Sequence, residues 1–145
     1  MARYILIAAS ALLLMLQPAV RAADPNDIFI IRTTTLSPDA AVAAIKAYAE
    51  ENEWLYLGDN KVKKGQVTLV KICIPEVGQI IWPAGLQLSA LLPCGNLGVY
   101  QRDGGTEISA LHPRYMSILY PDPALERAGA VAAPLLTDML DAVTK

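Results

Sequence analysis

Residues 96–113, NLGVYQRDGGTEISALHP, constrain the fold more than any other segment of the chain. Two strand-like arms flank Asp103, Gly104 and Gly105, which are residues that tolerate the positive φ angles of a tight turn. A connection this short joins antiparallel neighbours, because parallel strands need a long crossover. The sequence therefore predicts an antiparallel hairpin, around which the rest of the sheet is built.

Three other segments are rich in the β-branched and aromatic residues that favour strands. They are residues 27–35 (DIFIIRTTT), 54–62 (WLYLGDNKV) and 65–75 (GQVTLVKICIP). In the last of them, Val70 and Ile72 lie on the more apolar face, which we expect to meet the core, so Cys73 falls on the other face. A further extended run is predicted over residues 114–120 (RYMSILY).

Two segments have helical periodicity, and each begins with a capping residue followed by proline. Ser37 is a good N-cap with Pro38 at the first helical position, and Asp122 is followed by Pro123 in the same way. Pro134 is expected to kink or divide the final helix. The apolar positions of that helix are Leu125, Ala128, Ala132, Leu135, Met139 and Val143. A short helix is also predicted after Pro75, ending at residues 83–85.

The predicted order of elements is β-α-β-β-(α)-β-β-α. Short connections and hairpins indicate an α+β fold, in which helices cover one face of an antiparallel sheet. The second face then needs either water or a partner. Only 18% of the residues are charged, and we therefore expect a homodimer that covers this face.

The first 22 residues have the pattern of an export signal. Arg3 supplies the positive charge, residues 4–16 form an apolar core, and Val20 and Ala22 are the small residues of a cleavage site after Ala22. A spanning helix needs about 20 apolar residues, so an uncleaved anchor is the less favoured alternative. We expect residues 23–145 to be a single domain, periplasmic or secreted, without a membrane span.

Cleavage of the leader removes Arg3 and Arg21, which are two of twelve basic residues, and none of the fourteen acidic ones. The net charge therefore changes from −2 to −4. A mildly acidic protein has no bulk electrostatic attraction to nucleic acid or anionic lipid. We expect no nucleic-acid partner.

Cys73 and Cys94 are the two cysteines of the chain. Outside the reducing cytosol such a pair most often forms a disulfide, and closing a loop of about 20 residues contributes about 3 kcal/mol in the chain-entropy model. Buried unpaired thiols and a functional thiolate are the alternatives. The chain has no Cys-x-x-Cys motif, so it lacks the usual local pattern of thioredoxin-like proteins.

A metal or haem site is a second hypothesis for the same region. Cys94, His112 and Met116 provide soft ligands that suit copper, and each type also serves as an axial ligand to haem. No metal-binding spacing is present, however, and a single histidine before proline is more often a turn residue. No serine lies in a nucleophile elbow. We expect no catalytic residue.

Over roughly residues 28–143 the chain resembles the domain-of-unknown-function 302 family. The resemblance rests on the succession of VKICIP, a short helical insert, LLPCGNLGVYQRDGGTEISALHPRYM and a final helix after DP. The resemblance implies an antiparallel sheet with helices on one side, similar to the TATA-binding-protein-like class, and dimeric members. It implies no activity. Ile74-Pro75 stands where the family often has Asn-Pro, and Gly95-Asn96 where a basic residue often follows Pro-Cys.

These observations predict an exported α+β protein with a non-catalytic binding or accessory role and a structural disulfide between Cys73 and Cys94. The second hypothesis is a periplasmic redox or metal protein. In that protein Cys94, with His112 or Met116, would bind haem or copper.

Overall fold

The computed structural model describes residues 28–91 and 96–145. Five strands form one sheet: β1 (Phe29–Thr34), β2 (Leu55–Val62), β3 (Val67–Cys73), β4 (Asn96–Arg102) and β5 (Gly105–Leu111). The α-helices in this part of the chain are α1 (Pro38–Glu51), α2 (Pro75–Ile81), α3 (Tyr115–Leu119) and α4 (Pro123–Val143). The order agrees with the predicted one, except for the additional short helix α3.

The strands lie in the order β1-β5-β4-β3-β2, and every neighbouring pair is antiparallel. β4 is therefore the central strand, and β1 and β2 are the edges. The predicted hairpin joins β4 to β5 through Asp103 and Gly104, whose φ angles are 50° and 85°. Two successive positive φ angles define a turn whose twist matches that of the strands.

The helices lie on one side of the sheet. Their buried residues and the buried residues of the strands form one hydrophobic core. α1 contributes Ala41, Ile45 and Ala49 to this core, while the sheet contributes Val99 and Ile108 from its two central strands. The antiparallel sheet with helices on one face confirms the predicted α+β class. None of the helices in the described ranges is long and apolar enough to cross a membrane.

Both predicted N-caps form. Ser37 Oγ accepts a hydrogen bond from the Ala40 backbone N–H at 3.2 Å, and Asp122 Oδ1 accepts one from the Ala124 N–H at 2.7 Å. Each bond satisfies one of the amide groups that the first turn of a helix leaves without a partner. The helices therefore begin where the sequence predicts.

Pro134 does not divide α4, which is continuous from Pro123 to Val143. Proline lacks the N–H that would bond the carbonyl four residues earlier, at Ala130. Both Pro134 and Ala130 are exposed, so water can bond the freed carbonyl. The prediction of a divided helix was wrong because the proline lies on the solvent side.

The extended run predicted over residues 114–120 is also wrong, because this segment contains α3. The chain turns after β5 through two backbone bonds, from Tyr115 N–H to the His112 carbonyl and from Met116 N–H to the Pro113 carbonyl. β5 already has β1 and β4 as its two neighbours, so no free edge is available beside it. The turn instead buries Met116, which is 1% exposed.

Gly129 lies where α4 passes the turn before α3. A Cβ atom at this position would be 3.1 Å from the Pro113 carbonyl oxygen, which belongs to backbone and cannot rotate away. This close approach explains a glycine inside a helix, where glycine costs about 1 kcal/mol relative to alanine.

Replacing Gly129 with valine is expected to lower the free energy of unfolding by about 1–3 kcal/mol, the usual cost of overpacking. Urea denaturation followed by circular dichroism measures this change. Ala130→Val is the matched control, because Ala130 is the next residue of the helix and is exposed. Equal losses for the two variants would contradict the close approach.

Candidate binding surface

One face of the sheet is not covered by the described helices, and we call it the open face. Side chains alternate between the two faces of a strand, and on β3 Thr68, Val70 and Ile72 are buried, whereas Leu69 and Lys71 are exposed. This pattern confirms the predicted face assignment of β3. The open face consists of Phe29, Ile31, Thr33, Leu55, Asn60, Val62, Val67, Leu69, Lys71, Cys73, Asn96, Gly98, Tyr100, Glu107, Ser109 and Leu111.

The open face exposes several large apolar side chains. Leu69 lies near its centre and is 49% exposed, while Phe29 on β1 is 42% exposed. Leu55 and Val62 extend the apolar surface along β2. Large apolar side chains exposed together on one face of a small protein are typical of an interaction site.

A depression lies at the middle of the open face because β4 has no side chain at Gly98. The cavity has a volume of about 170 Å³, and its lining includes Phe29, Leu69, Asn96 and Ser109. A Cβ atom at Gly98 would be 3.0 Å from Ser109 Oγ. A larger residue at position 98 would therefore both fill the cavity and press on β5. A glycine inside a strand often marks such a close approach, and this was the sequence signal for the feature.

Glu107 is the acidic residue of the open face. It pairs across the sheet with Thr33 and Tyr100, and its side chain is 16% exposed. Arg102 Nη1 and Glu107 Oε2 form an ion pair at 3.7 Å, which is too long for a hydrogen bond, and Oε2 has no hydrogen-bond partner among the described residues. Burial, and then the hydrogen bond to Glu107, raise the pKa of Tyr100. The carboxylate is thus held in place with one oxygen unsatisfied.

Cys73 ends β3 at one edge of the open face, where it pairs with Leu55 of β2. Its side chain is half-buried, and within the described ranges it is a free thiol. Cys94, the other predicted disulfide residue, lies outside the described residues. The pairing of the two cysteines therefore stays a prediction.

His112 follows β5, and its backbone N–H donates to the Ile28 carbonyl at 2.8 Å. The ring Nδ1 accepts a hydrogen bond from the Arg114 N–H at 3.2 Å, which leaves Nε2 for any ligand. Burial, and then the Arg114 cation, lower the pKa of His112 and so favour the neutral ring. His112 lines a cavity of about 270 Å³ at the β1 edge of the sheet, together with four residues of β1 and with Thr137 of α4.

Met116, the remaining predicted metal ligand, is almost completely buried in the hydrophobic core. The described residues contain no group of three or more His, Cys, Asp and Glu side chains that could hold a metal ion. Because Cys94 lies outside these residues, the predicted ligand set of Cys94, His112 and Met116 stays a prediction.

The fold and the open face define a small α+β domain with one helix-covered and one uncovered sheet face. The chain belongs to the family described as domain of unknown function DUF302, whose model matches residues 30–143. Its structure is similar to the crystal structure of the uncharacterized conserved protein DUF302 from Bacillus stearothermophilus, with a TM-score of 0.66. The two share 18% sequence identity over 81% of this chain and 95% of the other. Among curated protein sequences no match was found.

The family model confirms the resemblance predicted from the cysteine-containing strand and hairpin segments. The structural similarity, at 18% identity, shows the fold alone. The use of the open face is therefore argued from the residues of this chain.

Proposed function

We propose that the chain is an exported, non-catalytic binding or accessory protein that docks another molecule on the open face of its sheet. The observation that carries this proposal is the exposure of Leu69 and Phe29 at 49% and 42% on a face that no described helix covers. Removing apolar surface from water stabilises a complex by roughly 25 cal/mol per Å² before the costs of association. Burial of this surface would therefore stabilise the complex with a docked molecule.

A disulfide between Cys73 and Cys94 would tie the end of β3 to the segment before β4, beside this surface. The register of β3 and β4 supports the pairing, because Lys71 lies opposite Asn96. In the sequence each cysteine is two residues beyond its member of this pair, Cys73 after Lys71 and Cys94 before Asn96. Opposite Cα atoms in an antiparallel pair are about 4.5–5.5 Å apart, which lies within the range of disulfides.

Export supports the same proposal because it provides the oxidising compartment that a structural disulfide needs. The argument for export is the leader pattern over residues 1–22, which lie outside the described part of the chain. Cell fractionation and N-terminal sequencing test it, with periplasmic protein beginning at Ala23 as the expected result. Cytosolic protein that retains the leader would contradict both the export and the disulfide.

The second hypothesis, a redox or metal protein, has less support from the described residues. Met116 is 1% exposed within the core. His112 lies at the β1 edge of the sheet, whereas Cys73 ends β3 and pairs with β2. An absorption spectrum of the purified protein tests this hypothesis, and a haem or copper band would favour it.

A photo-reactive benzoylphenylalanine at position 69 tests the open face as a docking surface. On irradiation of cells that produce the protein, we expect a covalent product of defined mass. The same probe at Arg127, which is exposed on α4, should give none. The absence of a product from position 69, or equal products from both positions, would contradict the proposed function.

A further inference from the structure

We propose that the free edge of β1 binds the carboxyl end of an extended peptide, which adds a short strand to the sheet. The cavity of about 270 Å³ beside this edge, whose lining includes Arg32, His112 and Thr137, holds the end of the peptide. This inference goes beyond the proposed function, because the edge of β1 is a different surface from the open face. It follows from the backbone groups and the side-chain donors that meet at the cavity.

The backbone edge of β1 forms one wall of the cavity. Four consecutive residues line it, from Phe29 to Arg32. Side chains of consecutive strand residues alternate between the two faces of a sheet, so four residues in a row share one cavity where the edge of the strand is its wall. β1 has β5 on one side, and none of the described strands lies on its other side. The cavity therefore lies where a further strand would pair.

The hydrogen bonds of β1 show which backbone groups face this free edge. In an antiparallel pair, opposite residues alternately exchange two hydrogen bonds and none. The His112 N–H donates to the Ile28 carbonyl at 2.8 Å, so every second residue from Ile28 onward bonds β5. Phe29 and Ile31 lie between these residues, and their N–H and C=O groups point away from β5. Such groups bind an added strand in a common mode of peptide recognition.

Arg32 agrees with this direction and also limits the length of an added strand. Its Nη1 donates to the Ile31 carbonyl at 3.0 Å, as expected for a carbonyl that points to the free edge. The guanidinium therefore occupies the place of the next donor along the edge. A peptide that continued past Ile31 would lose this bonding position, whereas a peptide that ends there brings a carboxylate to the guanidinium. Arginine and carboxylate groups form strong charge-assisted hydrogen bonds.

The side chains at the cavity supply donors for a carboxylate. Arg32 uses Nε for Asp141 of α4 and Nη1 for Ile31, and its Nη2 carries two more N–H donors. His112 Nδ1 accepts a hydrogen bond from the Arg114 N–H, so the proton of the neutral ring is on Nε2, which is a donor. An ionised carboxylate has only acceptors and therefore matches these groups.

Asp141 competes with a peptide carboxylate for the same guanidinium. The Arg32 and Asp141 side chains are 36% and 47% exposed, so their ion pair is open to water and to a ligand. A bound carboxylate would share Arg32 with Asp141, and the two negative charges would repel each other. Removal of the Asp141 charge is therefore expected to strengthen binding, a gain that a purely structural ion pair does not predict.

The tetrapeptide acetyl-Thr-Val-Thr-Val with a free C-terminus tests the inference, because its β-branched residues favour an extended chain. It is titrated into the isotope-labelled purified protein, and the backbone amides are followed by NMR. We expect a dissociation constant in the millimolar range, with the largest shifts at Phe29, Ile31 and His112 and smaller ones at Leu69 of the open face. The same peptide with an amidated C-terminus is expected to bind at least about tenfold more weakly.

Arg32→Gln and Asp141→Asn are expected to change the affinity for this peptide in opposite directions. The first removes the guanidinium and should raise the dissociation constant by at least about tenfold. The second removes the competing charge and should lower the constant by about two- to fivefold, the usual effect of an exposed ion pair. Arg127→Gln, which removes a cation from an exposed position of α4, is the matched control and should leave the constant unchanged.

A loss of affinity in both variants would overturn the inference, because it would show that the ion pair only maintains the local structure. Equal binding of the free and amidated peptides would overturn the carboxylate site. Acetate that binds as tightly as the peptide, or shifts centred on Leu69, would overturn the added strand. No shifts at about 10 mM peptide, beyond the range of weak binding, would overturn both.

Circular dichroism establishes that each variant folds, as expected for two partly exposed side chains. The comparison of the free and amidated peptides needs only the wild-type protein, so it decides the inference even if a variant does not fold.

Discussion

Replacing Cys73 with serine is expected to lower the free energy of unfolding of the oxidised protein by about 3 kcal/mol, if the predicted bridge to Cys94 forms. The bridge would close a loop of about 20 residues that contains α2 and the 3-10 turns Trp82–Ala84 and Leu86–Leu91. Closing a loop of this length removes conformational freedom from the unfolded chain, and this loss favours the folded state. Cys73 is half-buried, so the loss of its contacts in the folded state contributes little to this change in stability.

Urea denaturation with and without reductant measures this change at one protein concentration, since a dimer's stability depends on concentration. Reductant should bring the wild-type protein to the stability of Cys73→Ser and leave the variant unchanged. Cys94→Ser should have the same effect, and the double variant should lose no more than either single one. Two titratable thiols in the denatured, unreduced wild-type protein would exclude the bridge.

Leu136→Ala is expected to lower the free energy of unfolding by about 3 kcal/mol, within the range measured for buried leucines. Leu136 lies on α4 and is completely buried, with 0% exposure. Removing its side chain leaves a cavity between α4 and the core that the surrounding residues refill only in part.

Leu135→Ala is the matched control, because the two leucines are adjacent on the same helix and lose the same atoms. Leu135 is only partly buried, and we expect a loss of about 1 kcal/mol or less. Thermal or urea denaturation compares the two variants. Equal losses, or a larger loss for Leu135, would contradict the orientation of α4.

The pair of leucines also marks a limit of the sequence prediction. Apolar spacing on the final helix favours Leu135 for the buried stripe, whereas the structure buries Leu136 completely. The two residues are adjacent and about 100° apart around the helix. An apolar stripe is about as wide as this angle, so periodicity alone does not decide which of them is buried. The direction in which α4 crosses the sheet decides which leucine enters the core.

Turns and helix starts were predicted correctly because their causes lie within a few residues. Ser37 bonds Ala40, Asp122 bonds Ala124, and Asp103 supplies a positive φ angle for its own turn. The face of β3 that meets the core was predictable for a similar reason, since alternation is a property of a single strand. These features needed no knowledge of the strand order.

The segment 114–120 shows the opposite case. Its β-branched and aromatic residues favour a strand, but a strand that turned back beside β5 would need a free edge of β5. β1 and β4 already occupy both sides of β5, and α3 forms instead. The formation of a helix here could not be predicted from the segment itself.

By itself, the sequence determined the class of the fold, the positions of the caps and turns, the family, and the face of β3 on which Cys73 lies. Those features depend on residues close together in the chain. Only the tertiary structure decided that β5 lies between β1 and β4, and thereby left β1 as an edge strand. The open face is built from residues far apart in sequence, and strand pairing alone sets their register.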